Sequence, residues 1–408
     1  MLFNNQTFWN ARLVDGINQY ADDFYSITVT DGKIQKIQKT GYVDSPNDGE
    51  DLTGATIVPG LIDAHMHILS SDMVRNPGFG PPAELKGGEP RMSELGYFVL
   101  AAMAKQVLEA GITTVRDVGG DALEGIALRQ AVDLGVIPGP DIYSCGRIVS
   151  ATSPGGDLFG PMYREADGAD GMRKAVREQF RDGANFIKFM ATGARSVERE
   201  NPEPLQLTEP EVEAIIDEAH RMGYRVAAHA EGLEGAKIAV QMGVDTIEHG
   251  LSLHRSPETL EAMARAGTVL VPTLTTFHDL AERFPDQFAS RLVEQAKRQL
   301  EEAYLTLVAA DEAGVTLAMG HDSGPPGDSA IEAVRMAEGG LGAKKALLAA
   351  TSGSAAALGL NDRGRLNEGL RADLLVVSED PLQNIRAIND PEKNVMVIQG
   401  GHIVKDNR

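Results

Sequence analysis

Residues 56–68 read TIVPGLIDAHMHI, an apolar run that ends in His65 and His67 with one residue between them. Side chains alternate faces along a strand, so residues i and i+2 point the same way. Two imidazoles therefore aim from one strand end at one spot. Pro59 and Gly60 mark where the chain enters this strand, read here as 57–64.

Working outward, strand-like and helix-like segments alternate from residue 57 to 358. Further strands are expected at 112–118, 141–148, 185–190, 224–229, 244–249, 268–275 and 315–320. Helical patterns fall between them at Ser93–Ala110, Gly171–Asp182, Glu209–Met222, Leu233–Met242, Pro257–Ala266 and Asp286–Ala313. Junctions such as AGIT, DGAN, MGYR, MGVD and AGVT put a glycine between a helix end and the next strand. The alternation predicts an α/β fold, a distorted (β/α)8 barrel over 57–358, with its site at the carboxyl ends of the strands. Residues 1–56 and 359–408 alternate like β-structure (SITVTDGKIQKI, DLLVV, VMVIQGGHIVK) and are expected to pair into one small β-sandwich domain. Loops at 68–92, 149–170 and 191–208 are long and would frame a pocket.

The polar residues at the strand ends form the constellation. His65 and His67 end the first strand and Lys188 lies in the fourth (FIKFMATGA). His229 ends the fifth (VAAHAEG), His249 ends the sixth (TIEHG) and Asp322 follows the eighth (LAMGHDSG). A lysine in a barrel strand is rarely buried without a partner. Imidazole and carboxylate suit Zn²⁺, and also Mn²⁺ or Fe²⁺. Five such ligands exceed one tetrahedral site, so two divalent metal ions are expected. A cationic ammonium has no lone pair to give. Lys188 would have to be neutral, or carboxylated by CO₂ so that two oxygens bridge two metals. Metal-activated hydroxide would then attack a carbonyl centre, with Asp322 as ligand and proton carrier. Glu248 precedes His249, is expected on the opposite face and is read as structural. His321, beside Asp322, is read as orienting or touching the pocket. His220, His254, His278 and His402 fall in a helix, loops and the terminal sheet and are left out.

Composition is consistent with an enzyme of this kind. The chain has 408 residues, 42% hydrophobic and 24% charged, which is ordinary globular composition. The net charge of −21 argues against a nucleic-acid or anionic-membrane partner. The single cysteine, Cys145, lies in an apolar run and is read as a buried core thiol. Neither a signal peptide nor a membrane span is legible, so a cytoplasmic protein acting on a small molecule is expected.

With these residues in place the chain resembles the amidohydrolase superfamily over nearly its whole length, and within it the prolidase-like and Xaa-Arg/Lys dipeptidase-like, imidazolonepropionase-related branch. The residues carrying the resemblance are His65-x-His67, Lys188, His229, His249 and Asp322, with GITTVRDVGG (111–120), FIKFMATGA (186–194), GRLNEGLRADLLVVSEDPL (364–382) and VIQGGHIVKD (397–406). The resemblance implies a binuclear zinc site: His65, His67 and Asp322 on one ion, His229 and His249 on the other, carboxylated Lys188 between. It implies a cytoplasmic homo-oligomer that hydrolyses dipeptides or N-acyl amino acids with a free carboxylate. The chain departs from the family pattern near the pocket. It reads Ser153-Pro-Gly-Gly-Asp157 where relatives often have Gly-Gly-His, has Glu231-Gly232 after the fifth-strand histidine, and has Arg195 after the fourth strand. Arg195 is a candidate for the substrate carboxylate and Glu231 for a cationic group. The alternatives are a cyclic amide hydrolase of the imidazolonepropionase kind or a mononuclear deaminase, which lack the fourth-strand lysine. Deaminases of this type also space a glutamate one residue further from the fifth-strand histidine. A binding protein on the same scaffold would tend to lose ligands, and a Schiff-base aldolase would not need the histidine-rich rim.

Overall fold

The computed structural model describes residues 6–46, 48–68, 92–197, 199–283, 285–287, 290–322 and 326–408. Most of the loop expected at 68–92 therefore lies outside the described residues.

The opening stretch is two strands rather than one. Thr56–Pro59 pairs with Leu374–Val377 and with Gln6–Leu13, inside the sheet built from both ends of the chain. Only Leu61–Met66 belongs to the barrel. The sequence hid this because both faces of the first strand are buried, which removes the alternation that marks a half-exposed strand. Ile57, Leu374, Val376, Met396 and Ile398 face the core of the terminal sheet, while Val58, Leu375, Val377 and Val397 face the barrel core. The terminal sheet runs Lys33–Lys39, Tyr25–Thr30, Gln6–Leu13, Thr56–Pro59, Leu374–Val377, Asn394–Gln399, His402–Asp406. A bulge between Phe8 and Ala11, with Asn10 at φ 58°, bends it so that it closes over its own core.

The barrel follows the predicted order. Leu61–Met66, Ile112–Asp117 and Asp141–Ser144 pair in parallel. Ile187–Met190, Val226–Ala230, Thr246–His249 and Val269–Val271 continue in the same sense. The Asn185 amide donates to Ser144 O at 2.8 Å and joins the two groups. The expected third strand, 141–148, breaks after Ser144, and Ile148–Ser150 resumes against Phe189. The eighth strand is present only as bridges, Leu270 with Leu317 and Met66 with Asp322. Amides of Ala64 and Asp322 donate to Met319 O and His65 O at 2.8 and 2.7 Å, which closes the ring.

The observed helices Met92–Glu109, Ala169–Asp182, Glu209–Arg221, Leu233–Gln241, Pro257–Ala266 and Ser290–Glu312 lie where the pattern put them. The loop at 149–170 holds a short helix, Pro154–Phe159, and a strand, Tyr163–Glu165. Among the described residues no helix is long and apolar enough to cross a membrane. Cys145 is fully buried, as expected.

Strand eight approaches strand one so closely that position 320 must be glycine. A Cβ there would lie 2.4 Å from Val271 Cγ1 and 2.6 Å from His65 Cβ. Gly320→Ala should therefore destabilise the protein by about 1–3 kcal/mol through overpacking. Equilibrium unfolding at fixed metal concentration measures this, and an unchanged midpoint would show that the two strands can separate at little cost.

Candidate functional site

Five of the six predicted ligands sit at strand ends, on backbone that has just left the strand or is about to. His249 and Asp322 adopt left-handed backbone, φ 70° and 64°. Such conformations cost energy in non-glycine residues and persist where surrounding structure enforces them. Here the amide of Asp322 is held by His65 O and that of Gly250 by Ala230 O. The register sets Met190 beside His229 and Ala230 beside His249, with Lys188 one inward step deeper, beside Ala227.

The rings converge. His65 and His67 lie 5.4 Å apart between centroids, His65 and His249 5.1 Å, His229 and His249 4.5 Å. Donor atoms of His65, His249 and Asp322 fall within 4.8 Å of one another. Asp322 Oδ1 stands 3.4 Å from His65 Nε2 and 3.3 Å from His67 Nε2.

The far sides of His65 and His67 fix their tautomers. His65 Nδ1 is 2.6 Å from Glu248 Oε2, and His67 Nδ1 is 2.7 Å from Gly119 O. A carboxylate and a carbonyl only accept, so both Nδ1 atoms carry the proton and both Nε2 atoms present lone pairs. Those lone pairs face a carboxylate oxygen, and His65 Nε2 is buried without a hydrogen-bond partner. Three acceptors brought together in a largely buried cluster repel unless a cation lies among them. His249 Nδ1 meets Thr273 Oγ1 at 2.7 Å, and His229 Nε2 meets Gly193 O at 3.2 Å, which leaves Nδ1 as the donor atom of His229. Neutral imidazoles anchored on their outer nitrogen, with the other nitrogen open, are how proteins present histidine to metals. The residues present therefore fit a divalent cation.

Charge states agree. Burial pushes His65 and His249 below the usual histidine range, with Lys188 adding to the effect on His65 and His229 to that on His249. Lys188 is 2% exposed, and burial brings it down to about 8 against the pull of Glu248.

Glu248 is the residue the sequence reading missed. Its carboxylate lies inside the barrel, bonded to His65 and to Arg116 Nη2 at 2.7 Å. The alternation that should separate it from His249 ends at the left-handed backbone of His249. Arg195 and Glu231 pair with each other: Nη1 to Oε1 is 2.6 Å, and Gln299 Nε2 reaches Oε2 at 3.2 Å. The Arg195 guanidinium also lies 4.1 Å over the Phe277 ring, with Nη2 3.7 Å from Asp322 Oδ2. The cation that Glu231 receives is thus Arg195. His321 is buried; its amide donates to Asp63 Oδ1 at 3.2 Å, while its ring Nε2 has no hydrogen-bond partner.

The Amidohydrolase family profile matches residues 56–404. Ochratoxinase of Aspergillus niger is 30% identical over 379 residues, covering 86% of this chain and 75% of the fungal protein. A solved Xaa-Pro dipeptidase with methionine bound in its active site superposes with a TM-score of 0.85 at 29% identity, over 98% of this chain and 99% of that one. A prolidase complexed with N-methylphosphonate-L-proline gives 0.85 at 28%, over 99% and 100%. The chain belongs to the Amidohydrolase family and is a hydrolase acting on C–N bonds.

Stripping the protein with a chelator should lower its unfolding midpoint, and zinc should restore it, since a ligand at 1,000 times its Kd stabilises by about 4 kcal/mol. Asp322→Asn should shrink that difference. Midpoints indifferent to chelator and zinc would contradict a cation site here.

Proposed function

We propose that this amidohydrolase cleaves the amide bond of a small substrate with a free carboxylate, a dipeptide or an N-acyl amino acid, using two divalent ions, zinc by preference of the donor set. The observation that carries the reading is the convergence of unprotonated His65 and His67 Nε2 on Asp322 Oδ1, with two more histidines and a low-pKa lysine beside them. His65, His67 and Asp322 would hold one ion, His229 and His249 the other, and carboxylated Lys188 would join them. A neutral amine is what reacts with CO₂, and a lysine brought to about 8 supplies it near neutral pH. Bound there, the ions supply Lewis acidity and make a water acidic enough to attack near pH 7.

The remaining steps belong to this chain's side chains. Asp322 Oδ1 is committed to the histidines, so Oδ2 is the oxygen that takes the proton of the attacking water. It then passes that proton to the amide nitrogen as the C–N bond breaks and the new C–O bond is complete. The side chains of His67 and Asp322 are 18% and 13% exposed against 1% for His65, so Asp322 belongs to the part of the cluster open to the substrate space. Arg195, fixed by Glu231 and stacked on Phe277, faces the same space and takes the substrate carboxylate. Glu231 acts through Arg195 in this reading rather than on the substrate.

A screen of L-Xaa-L-Xaa dipeptides and N-acyl amino acids tests the substrate class. On an active dipeptide, Arg195→Ala should raise KM about 10- to 100-fold, the loss of a hydrogen-bonded charge pair, with little change in kcat. The C-terminally amidated dipeptide should show no such dependence on Arg195. Equal losses on acid and amide would remove the carboxylate role while leaving amide hydrolysis intact.

A further inference from the structure

Beneath the ligands, on the barrel floor, lies an ion pair that no step above uses. Glu248 is fully buried and Arg116 is 3% exposed. Arg116 is held on three sides: Nε donates to Ala64 O at 2.5 Å, Nη1 to Thr246 Oγ1 at 3.0 Å and Nη2 to Glu248 Oε1 at 2.7 Å. Its guanidinium also lies 5.3 Å over the Phe186 ring. Glu248 divides its oxygens. Oε1 takes Arg116 and the Thr246 hydroxyl, and Oε2 is left for His65 Nδ1 alone.

A buried ion pair is often no better for stability than apolar side chains of the same volume. Its presence under the site is explained by what it does to His65. The outer nitrogens of the ligand histidines meet different partners. His67 meets a backbone carbonyl, His249 a hydroxyl, and His229 a backbone carbonyl at 3.2 Å, with the Glu231 carboxylate, already paired with Arg195, further off at 3.4 Å. His65 meets a carboxylate that Arg116 pairs with and holds in place. An anionic partner fixes the tautomer and makes the opposite nitrogen a stronger donor to a cation than a neutral partner does.

We propose that Glu248, braced by Arg116, is a positioning residue that orients His65 and makes the metal position served by His65 the tighter of the two. The second half rests on the two-metal reading above. The two positions would then fill and empty in order rather than together. Glu248 contacts neither substrate nor metal, and acts only through the His65 ring.

The test is zinc affinity of chelator-stripped protein, titrated against a chromophoric competing chelator, with the unfolding midpoint of the metal-free protein as control. Wild type should bind zinc in two unequal steps. Glu248→Gln should weaken the tighter step about 10- to 100-fold and leave the weaker one in place. Thr273→Val, which removes the neutral partner of His249, should spare the tighter step. Glu248→Gln leaves Arg116 buried without its counter-charge, which costs stability, so Arg116→Gln combined with Glu248→Gln is the companion; it should weaken the same step. An unmoved tight step in either folded variant, or equal loss in both steps, overturns the proposal. A single zinc step in wild type would end the two-metal reading and the ordering with it, while a weakening of that step by Glu248→Gln would still uphold the link from Glu248 to His65. Wild type that binds no zinc overturns both.

Discussion

Two imidazole nitrogens, His65 Nε2 and His67 Nε2, face Asp322 Oδ1 at 3.4 and 3.3 Å, with His65 buried and the other two partly so. Neither ring can turn its proton inward, because Glu248 and Gly119 O hold it on the outer nitrogen. Such an arrangement, largely withdrawn from water, calls for positive charge at its centre. Much of the surrounding structure maintains it. Left-handed backbone at His249 and Asp322 aims those side chains inward, and glycine at 320 lets the eighth strand reach the first.

Charge is layered along the barrel axis. The floor holds the Arg116–Glu248 pair, the middle holds the histidines with Lys188 and Asp322, and the rim holds the Arg195–Glu231 pair against Phe277. Each layer restrains the one beside it. Glu248 pulls Lys188 upward while burial and Arg116 push it down, which brings the amine to about 8. At the rim, Glu231 leaves one edge of Arg195 facing Asp322.

The candidate cluster was legible because five of its six members stand at strand ends, and strand periodicity puts His65 and His67 on one side whatever the rest of the fold does. The helices were legible from the glycines that stop them, such as Gly183 at φ 106°. What stayed hidden has physical causes. Thr56–Pro59 and Leu61–Met66 read as one strand because burial on both faces erases alternation. Glu248 was read as facing away because alternation was assumed past the point where the backbone at His249 abandons it. The Arg195–Glu231 pair joins residues 36 apart in sequence, which no local pattern reveals.

The most direct measurement is metal content of the purified chain, by mass spectrometry of the ions, for wild type and Lys188→Ala. About two metals per wild-type chain and a clear loss in Lys188→Ala is the predicted result. One metal per chain, unchanged when Lys188 is removed, would contradict a bridged pair, and none would contradict a metal centre altogether.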